Sequence, residues 1–255
     1  MLDYTGERMV PEAADGRTFW EHVERYRYAR ANLNGSRILD VACGEGYGTA
    51  ALATDSSLQV VGVDISPESC EHARNKYGVD ARIGCAEAIP LPDASIDTVV
   101  SFETIEHLKH PEAFLAECYR ILSPGGRLVI STPNRPVYHR HTPNNAFHHH
   151  EMTLGEFQES LSERFRISSI SGQCVPLPSL LQMRGIRKLP AVFYRLVTPH
   201  SSRPPLDEER MNVKDLILRP SCWQDRIDPY SVRPMSVSRL QSACYLIAIA
   251  TRKSN

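Results

Sequence analysis

The sequence predicts an α/β fold: a seven-stranded, mostly parallel sheet with helices on both faces and an insertion between strands six and seven. Three observations carry that expectation. Short apolar runs bounded by Gly, Pro or Asp alternate with stretches of helical apolar spacing from residue 37 to residue 171. The first of these runs ends in clustered glycines and leads into a helix. A last apolar run, Cys244 to Thr251, follows about seventy residues rich in Pro and Arg, too many for a simple connection.

The elements follow in order. Phe19, Val23, Tyr26 and Leu33 recur at roughly helical spacing and predict an amphipathic helix from Phe19 to Leu33. Arg37 to Val41 and Leu58 to Asp64 are apolar runs suited to buried strands. Ser66 and Pro67 read as an N-cap and first helical residue, with Cys70, Ala73 and Tyr77 on the inner face and Gly78 as the stop. Val79 to Gly84 and Ile96 to Phe102 are the next two strands. Pro111 to Leu122 is a helix burying Phe114, Leu115, Cys118, Tyr119 and Leu122, and Pro124-Gly125-Gly126 is a turn before the strand Arg127 to Thr132. Thr153-Leu154-Gly155-Glu156 has the form of a capping box opening a helix to about Glu163. Phe165 to Ser171 is strand six and Cys244 to Thr251 strand seven. We expect one domain over residues 1–255: a helical cap at 1–35, a core at 36–172, an insertion at 173–242 and the final strand at 243–255.

Composition excludes several classes. With 29 Lys+Arg against 30 Asp+Glu the formal net charge is -1, which argues against nucleic acid as a partner. Seven cysteines without a CxxC pair suit buried thiols of a reducing compartment, not a disulfide framework or a zinc knuckle. No leader-like apolar segment opens the chain and no run spans a bilayer, so a cytoplasmic location is expected. The oligomeric state is left open.

The chemistry centres on Ile38-Leu39-Asp40-Val41-Ala42-Cys43-Gly44-Glu45-Gly46-Tyr47-Gly48. A strand entering a glycine loop is a common nucleotide-cofactor site, because glycine lets the backbone approach a ligand. A dinucleotide loop needs its third glycine where Thr49 stands. Asp40 would repel a pyrophosphate but can hold an ammonium group, directly or through water. A plain strand–helix turn is the bland alternative.

These residues resemble the first motif of the class I, Rossmann-like methyltransferases that use S-adenosylmethionine (SAM), whose ammonium and sulfonium suit an acid and whose lack of phosphate suits the loop. The resemblance implies cofactor contacts from Asp40, Ala42, Gly44 and Gly46, and from Asp64 and Ile65 after strand two, with Asp64 accepting from the ribose hydroxyls. It implies Ala86 and Glu87 beside the adenine, Phe102 and Glu103 near the transferred methyl, and Arg8 and Tyr26 from the N-terminal segment. A narrower resemblance, carried by Gly6-Glu7-Arg8, Glu21-His22-x-x-Arg25-Tyr26, Pro133-Asn134-Arg135 and Asn145-Ala146-Phe147-His148, is to bacterial methyltransferases of sugar and polysaccharide modification. Those enzymes often carry a proline where Ala146 stands. An O-methyltransferase acting on a small-molecule or oligosaccharide acceptor is therefore expected. Phenols, quinone precursors and amines are alternative acceptors, and a non-catalytic SAM-binding regulator and a nucleotide-dependent dehydrogenase are alternative functions.

Methylating an alcohol requires a base. Glu103, Glu106 and His107 read as an exposed polar turn after strand four, and His139, His141, His148, His149 and His150 as a loop beside the same end of the sheet. His148 is the favoured base, His107 the next, with Glu103 also a candidate for the catalytic set. Magnesium, held by these histidines with Glu103 or Glu106, is a candidate second cofactor. Arg184, Arg187, Lys188 and Arg195 in the insertion either face an anionic acceptor or form a solvated face.

Overall fold

The computed structural model describes residues 9–11, 16–140, 145–173 and 231–254. Helix α1 (Gly16–Ala31) precedes β1 (Arg37–Val41), α2 (Tyr47–Leu52), β2 (Gln59–Asp64), α3 (Pro67–Tyr77), β3 (Asp80–Ile83) and β4 (Ile96–Ser101). A 3-10 turn (Ile105–His107) leads to α4 (Pro111–Ile121), β5 (Leu122–Pro133), α5 (Arg135–Tyr138), α6 (Leu154–Ser162) and β6 (Phe165–Gln173). After residue 230 come β7 (Arg233–Pro234), α7 (Val237–Leu240) and β8 (Tyr245–Arg252).

The strands form one sheet of eight in the order β3-β2-β1-β4-β5-β8-β6-β7. Strands β1 to β5 pair in parallel, while β8 runs antiparallel between β5 and β6. The expected class is thus observed. The eighth strand is a two-residue pairing of Arg233 and Pro234 on β6, too short to leave a periodic signal.

Alternation along each strand sorts the core into two layers. Leu39, Val99, Leu128, Ile130 and Leu246 face Phe114, Leu115 and Cys118 of α4 and Phe157 and Leu161 of α6. Ile38, Val100, Val129 and Ile247 face Phe19, Val23 and Tyr26 of α1 and Ala50, Ala51 and Leu52 of α2. Each buried aromatic or aliphatic side chain contributes about 1.5–3 kcal/mol by leaving water.

The expected caps form. Ser66 Oγ accepts from the Ser69 N–H at 3.2 Å, and Gly78 stops α3 at φ 71°. Thr153 and Glu156 exchange side-chain-to-backbone bonds of 3.3 and 2.7 Å. Pro124-Gly125-Gly126 is not a free turn: Leu122 pairs with Ile96 and Arg127 with Thr98, so the three residues bulge within β5. Gln173 and residues 231–242, expected inside the insertion, belong to the sheet and its flank. Asn134 holds them through its amide, which donates to the carbonyls of Leu240, Gln241 and Ala243. Arg184, Arg187, Lys188 and Arg195 lie outside the described residues.

Candidate functional site

A cleft of about 370 Å³ opens at the carboxyl ends of β1, β2 and β4, where parallel sheets usually place ligands. The turn after β1 supplies Ala42 and Gly44 to it, the end of β2 supplies Asp64 and Ile65, the turn after β3 supplies Ala86, and the end of β4 supplies Phe102 and Glu103. His107 closes one side, and His22 and Tyr26 of α1 lie across the top.

Asp64 organises the turn. Its Oδ2 accepts from the Gly44 N–H at 2.8 Å and its Oδ1 from the Ser66 N–H at 2.9 Å. A carboxylate oxygen accepts more than one bond, so both retain capacity for a ligand hydroxyl. Ile65, next in sequence, is exposed and lines the same cleft, offering it an apolar surface. Ala42 and Glu103 adopt φ of 58° and 51° without being glycine, and both stand in the cleft wall. Backbone strain of this kind concentrates at functional sites.

Among the clustered glycines only Gly44 faces the cleft; its missing side chain would meet nothing within 4 Å. Gly46, expected as a cofactor contact, instead packs α2 on α3: φ is 92°, and an added Cβ would stand 2.4 Å from that of Ala73. Gly48 makes room for Tyr26, whose ring carbon would lie 1.9 Å from such a Cβ. Gly46→Ala is expected to cost roughly 2–5 kcal/mol, from left-handed strain and overpacking together, read as a drop in urea midpoint. A loss under about 0.5 kcal/mol, the size of a neutral surface change, would contradict this reading.

Asp40, also expected to touch cofactor, is fully buried behind the wall. It points to the α1–α2 face of β1, where Thr49 donates to it at 2.7 Å and the Tyr26 hydroxyl at 3.1 Å. Burial raises its carboxyl from 3.8 to about 7. The folded state therefore holds this proton more tightly than the unfolded chain. The contribution of Asp40 to stability is fully present below about pH 4 and is lost as pH rises toward 7, by up to ~4 kcal/mol at ~1.36 per unit. Asp40→Asn is expected to flatten this part of the pH–Tm curve of the ligand-free protein; a curve as steep as the parent's would contradict it.

Glu87, expected beside the adenine, turns away: its Oε1 accepts from the His110 N–H at 2.9 Å at the start of α4. Arg8 and His141 lie outside the described residues.

The polar residues after β4 are not an exposed turn. Ile105 and Glu106 of the 3-10 turn face inward, and Glu106 is fully buried. Glu103 is half-buried, and the Ser131 hydroxyl donates to its carboxylate at 2.7 Å while accepting from its N–H at 3.1 Å. Burial raises the Glu103 carboxyl, and the guanidinium of buried Arg25 partly offsets the rise. Glu106 is pushed well above the ordinary carboxylate range, first by burial and then by Glu103.

The Glu106 carbonyl accepts from the N–H groups of His149 and His150 at 2.7 and 3.0 Å, clamping the histidine loop onto the turn. The loop turns without the proline: the Asn145 side chain accepts from the Phe147 N–H at 3.1 Å. His148 is thereby set edge-on to His107, ring centroids 4.8 Å apart, and stacks on Tyr138. It does not line the cleft wall.

His22 and Arg25 belong to the Glu21-His22-x-x-Arg25-Tyr26 segment of α1. His22 Nδ1 stands 2.8 Å from the Tyr47 hydroxyl inside the cleft, and burial holds its imidazole well below the usual range. Arg25 donates to Gln173 Oε1 at 2.8 Å and lies 4.7 Å from the centroid of the Tyr245 ring. His22 stands four residues before Tyr26, a spacing that puts both on one face of α1; Arg25, adjacent to Tyr26, carries no such signal.

Residues 39–130 match the family model for a methyltransferase domain. The chain is 41% identical over 165 residues to a probable S-adenosylmethionine-dependent methyltransferase of Mycolicibacterium smegmatis, covering 63% of each chain. It is 37% identical over 116 residues to a ubiquinone biosynthesis O-methyltransferase of Xanthomonas oryzae pv. oryzae, covering 43% of this chain and 48% of that one. It thus spans less than two thirds of either relative's length. Among solved structures, a SAM-dependent methyltransferase of Thermotoga maritima, described as a possible histamine N-methyltransferase, superposes with TM-score 0.59 at 19% identity, covering 91% of this chain and 89% of that one. A TehB-like SAM-dependent methyltransferase of Corynebacterium glutamicum gives TM-score 0.53 at 16% identity, covering 90% and 88%. The fold is therefore that of these Rossmann-like enzymes.

Proposed function

From a chain whose residues 39–130 match a methyltransferase domain, we propose a SAM-dependent O-methyltransferase that moves a methyl group to a hydroxyl of a small, hydroxyl-rich acceptor of the saccharide class. The observation that carries the reading is one cleft holding both Asp64 with the Gly44 turn and the Glu103 carboxylate with His107. The first pair suits ribose hydroxyls. The second presents a carboxylate and an imidazole to an acceptor hydroxyl.

In this reading Asp64, Gly44, Ala42, Ile65, Ala86 and Phe102 hold SAM, with Tyr26 above. Asp40 and Gly46 hold the turn in shape from behind. The acceptor oxygen attacks the methyl carbon in line with the sulfur. The O–CH3 bond forms, the S–CH3 bond breaks, and its electron pair returns to sulfur to give S-adenosylhomocysteine. The hydroxyl proton passes to Glu103, whose raised carboxyl sits closer to working pH than an exposed one. Positioning supplies most of the rate, because the sulfonium is already a strong electrophile.

The ubiquinone-pathway relative gives the second reading, a phenolic acceptor. A phenol ionises near pH 10 and depends less on a base than a sugar hydroxyl does. The test is transfer of labelled methyl from SAM to a panel of saccharides and phenols. Label on saccharides supports the first reading, label on phenols alone the second, and no label despite SAM binding removes both.

A further inference from the structure

We propose that Glu106, His107 and His148 form a binding site for one first-row transition-metal dication beside the cleft, behind the wall to which His107 contributes. A carboxylate oxygen of Glu106 and a ring nitrogen from each histidine lie within 4.8 Å of one another. Two donors bonded to one ion at about 2.1 Å stand at most about 4.2 Å apart, so any pair near the 4.8 Å limit would draw in on seating the ion.

The surroundings are those of metal ligands. The Phe147 carbonyl can only accept, so His107 Nδ1, 3.0 Å away, carries the proton and its Nε2 carries the lone pair. A carboxylate likewise only accepts, so His148 Nδ1 donates to Glu151 at 2.7 Å and its Nε2 is the electron-pair nitrogen. An imidazole held by a carboxylate or carbonyl behind it is the usual second shell of a metal-bound histidine. The Asn145 amide N–H, 3.0 Å from His148 Nε2, occupies the direction that an ion would take.

The independent sign is Glu106. It is fully buried, and its Oε1 has no hydrogen-bond partner. An unsatisfied buried carboxylate oxygen is costly, and a cation bound to it removes that cost. Two nitrogen donors favour iron, cobalt, nickel, copper or zinc over magnesium, which prefers an oxygen shell.

The consequence, though not the site itself, rests on the methyl-transfer reading. A dication there would orient an acceptor hydroxyl and lower its pKa before Glu103 takes the proton.

The experiment is titration of EDTA-stripped, desalted protein with Co2+, followed by calorimetry and by the visible d–d absorption of the bound ion. One equivalent per chain is expected. Glu106→Gln and His148→Ala should each weaken binding at least ~10-fold, and Glu151→Gln, which removes the carboxylate behind His148 and its pairing with His139, ~10–100-fold. Binding of S-adenosylhomocysteine checks that each variant is folded, and His148→Gln replaces His148→Ala if that variant fails. No Co2+ uptake by protein that binds S-adenosylhomocysteine, unchanged uptake by both His148 variants, or displacement of Co2+ by equimolar Mg2+ would overturn the proposal. Stoichiometric Co2+ binding without methyl transfer to any acceptor would uphold the site and sink the enzymatic reading instead.

Discussion

Asp64→Ala is expected to weaken binding of SAM or S-adenosylhomocysteine at least a hundredfold. Its two carboxylate oxygens already fix the Gly44 and Ser66 N–H groups, so removing them loosens the turn as well as deleting the ligand contact. Hydrogen bonds to a charged group are worth about 1.5–3 kcal/mol each, and two to ribose hydroxyls amount to at least about 3 kcal/mol. At ~1.4 kcal/mol per decade that is a factor of ~10² or more before any loosening is counted. Calorimetry with S-adenosylhomocysteine reads the effect directly. Asp64→Asn, which keeps one accepting oxygen, should fall between the two. Affinity within about threefold of the parent for a folded Asp64→Ala, a difference under ~0.7 kcal/mol, would remove Asp64 from the cofactor site.

Glu103→Gln is expected to lower turnover ~10²–10⁴-fold, the range of a general base, while SAM affinity changes little. The substitution preserves shape, and glutamine can still accept from the Ser131 hydroxyl. It should not disturb the φ of 51° any more than glutamate does. The parent's turnover should rise with pH as the Glu103 carboxyl, raised by burial, ionises. That limb should vanish in the variant. A variant with full turnover and the same pH limb would show that the proton goes elsewhere, with His107 the next group in the cleft wall.

Much of the fold was legible because its signals are local. The run Ile38–Val41 is buried throughout and Val60–Val63 is half-buried to buried, and such apolar runs need no partner to announce themselves. Ser66-Pro67, Gly78 and Thr153-x-x-Glu156 encode their helix ends in short range. What failed depends on distant residues. Pro124-Gly125-Gly126 reads as a turn until Ile96 pairs with Leu122. The stretch 231–242 finds its place through distant partners: the Asn134 amide, a hundred residues earlier and more, the Glu24 carboxylate that accepts from the Val232 N–H, and the edge of β6.

The site divides the same way. Asp64 and Gly44 stand where the strand ends put them. Gly46 and Gly48 look identical to Gly44 in sequence, yet their neighbours are Ala73 and Tyr26. Glu87 caps a helix that starts over twenty residues on, which its own neighbourhood does not reveal. Glu106 was read as exposed because a charge usually is. Its burial follows from the 3-10 turn, a backbone choice with no strong residue signature.

The position of β8 bears on how the chain is made. Residues 245–252 form the antiparallel bridge between β5 and β6, and the pairing stretches from Arg127–Pro133 on one side to Phe165–Gln173 on the other. During synthesis β5 is finished more than a hundred residues before its neighbour exists. Until then its edge and the apolar face around Leu128 and Ile130 have no cover on that side, an invitation to mispairing between nascent chains. Closing so long a loop is also slow. A premature stop just before residue 245 would therefore be expected to yield aggregates, with every other strand of the sheet fully translated yet unable to settle.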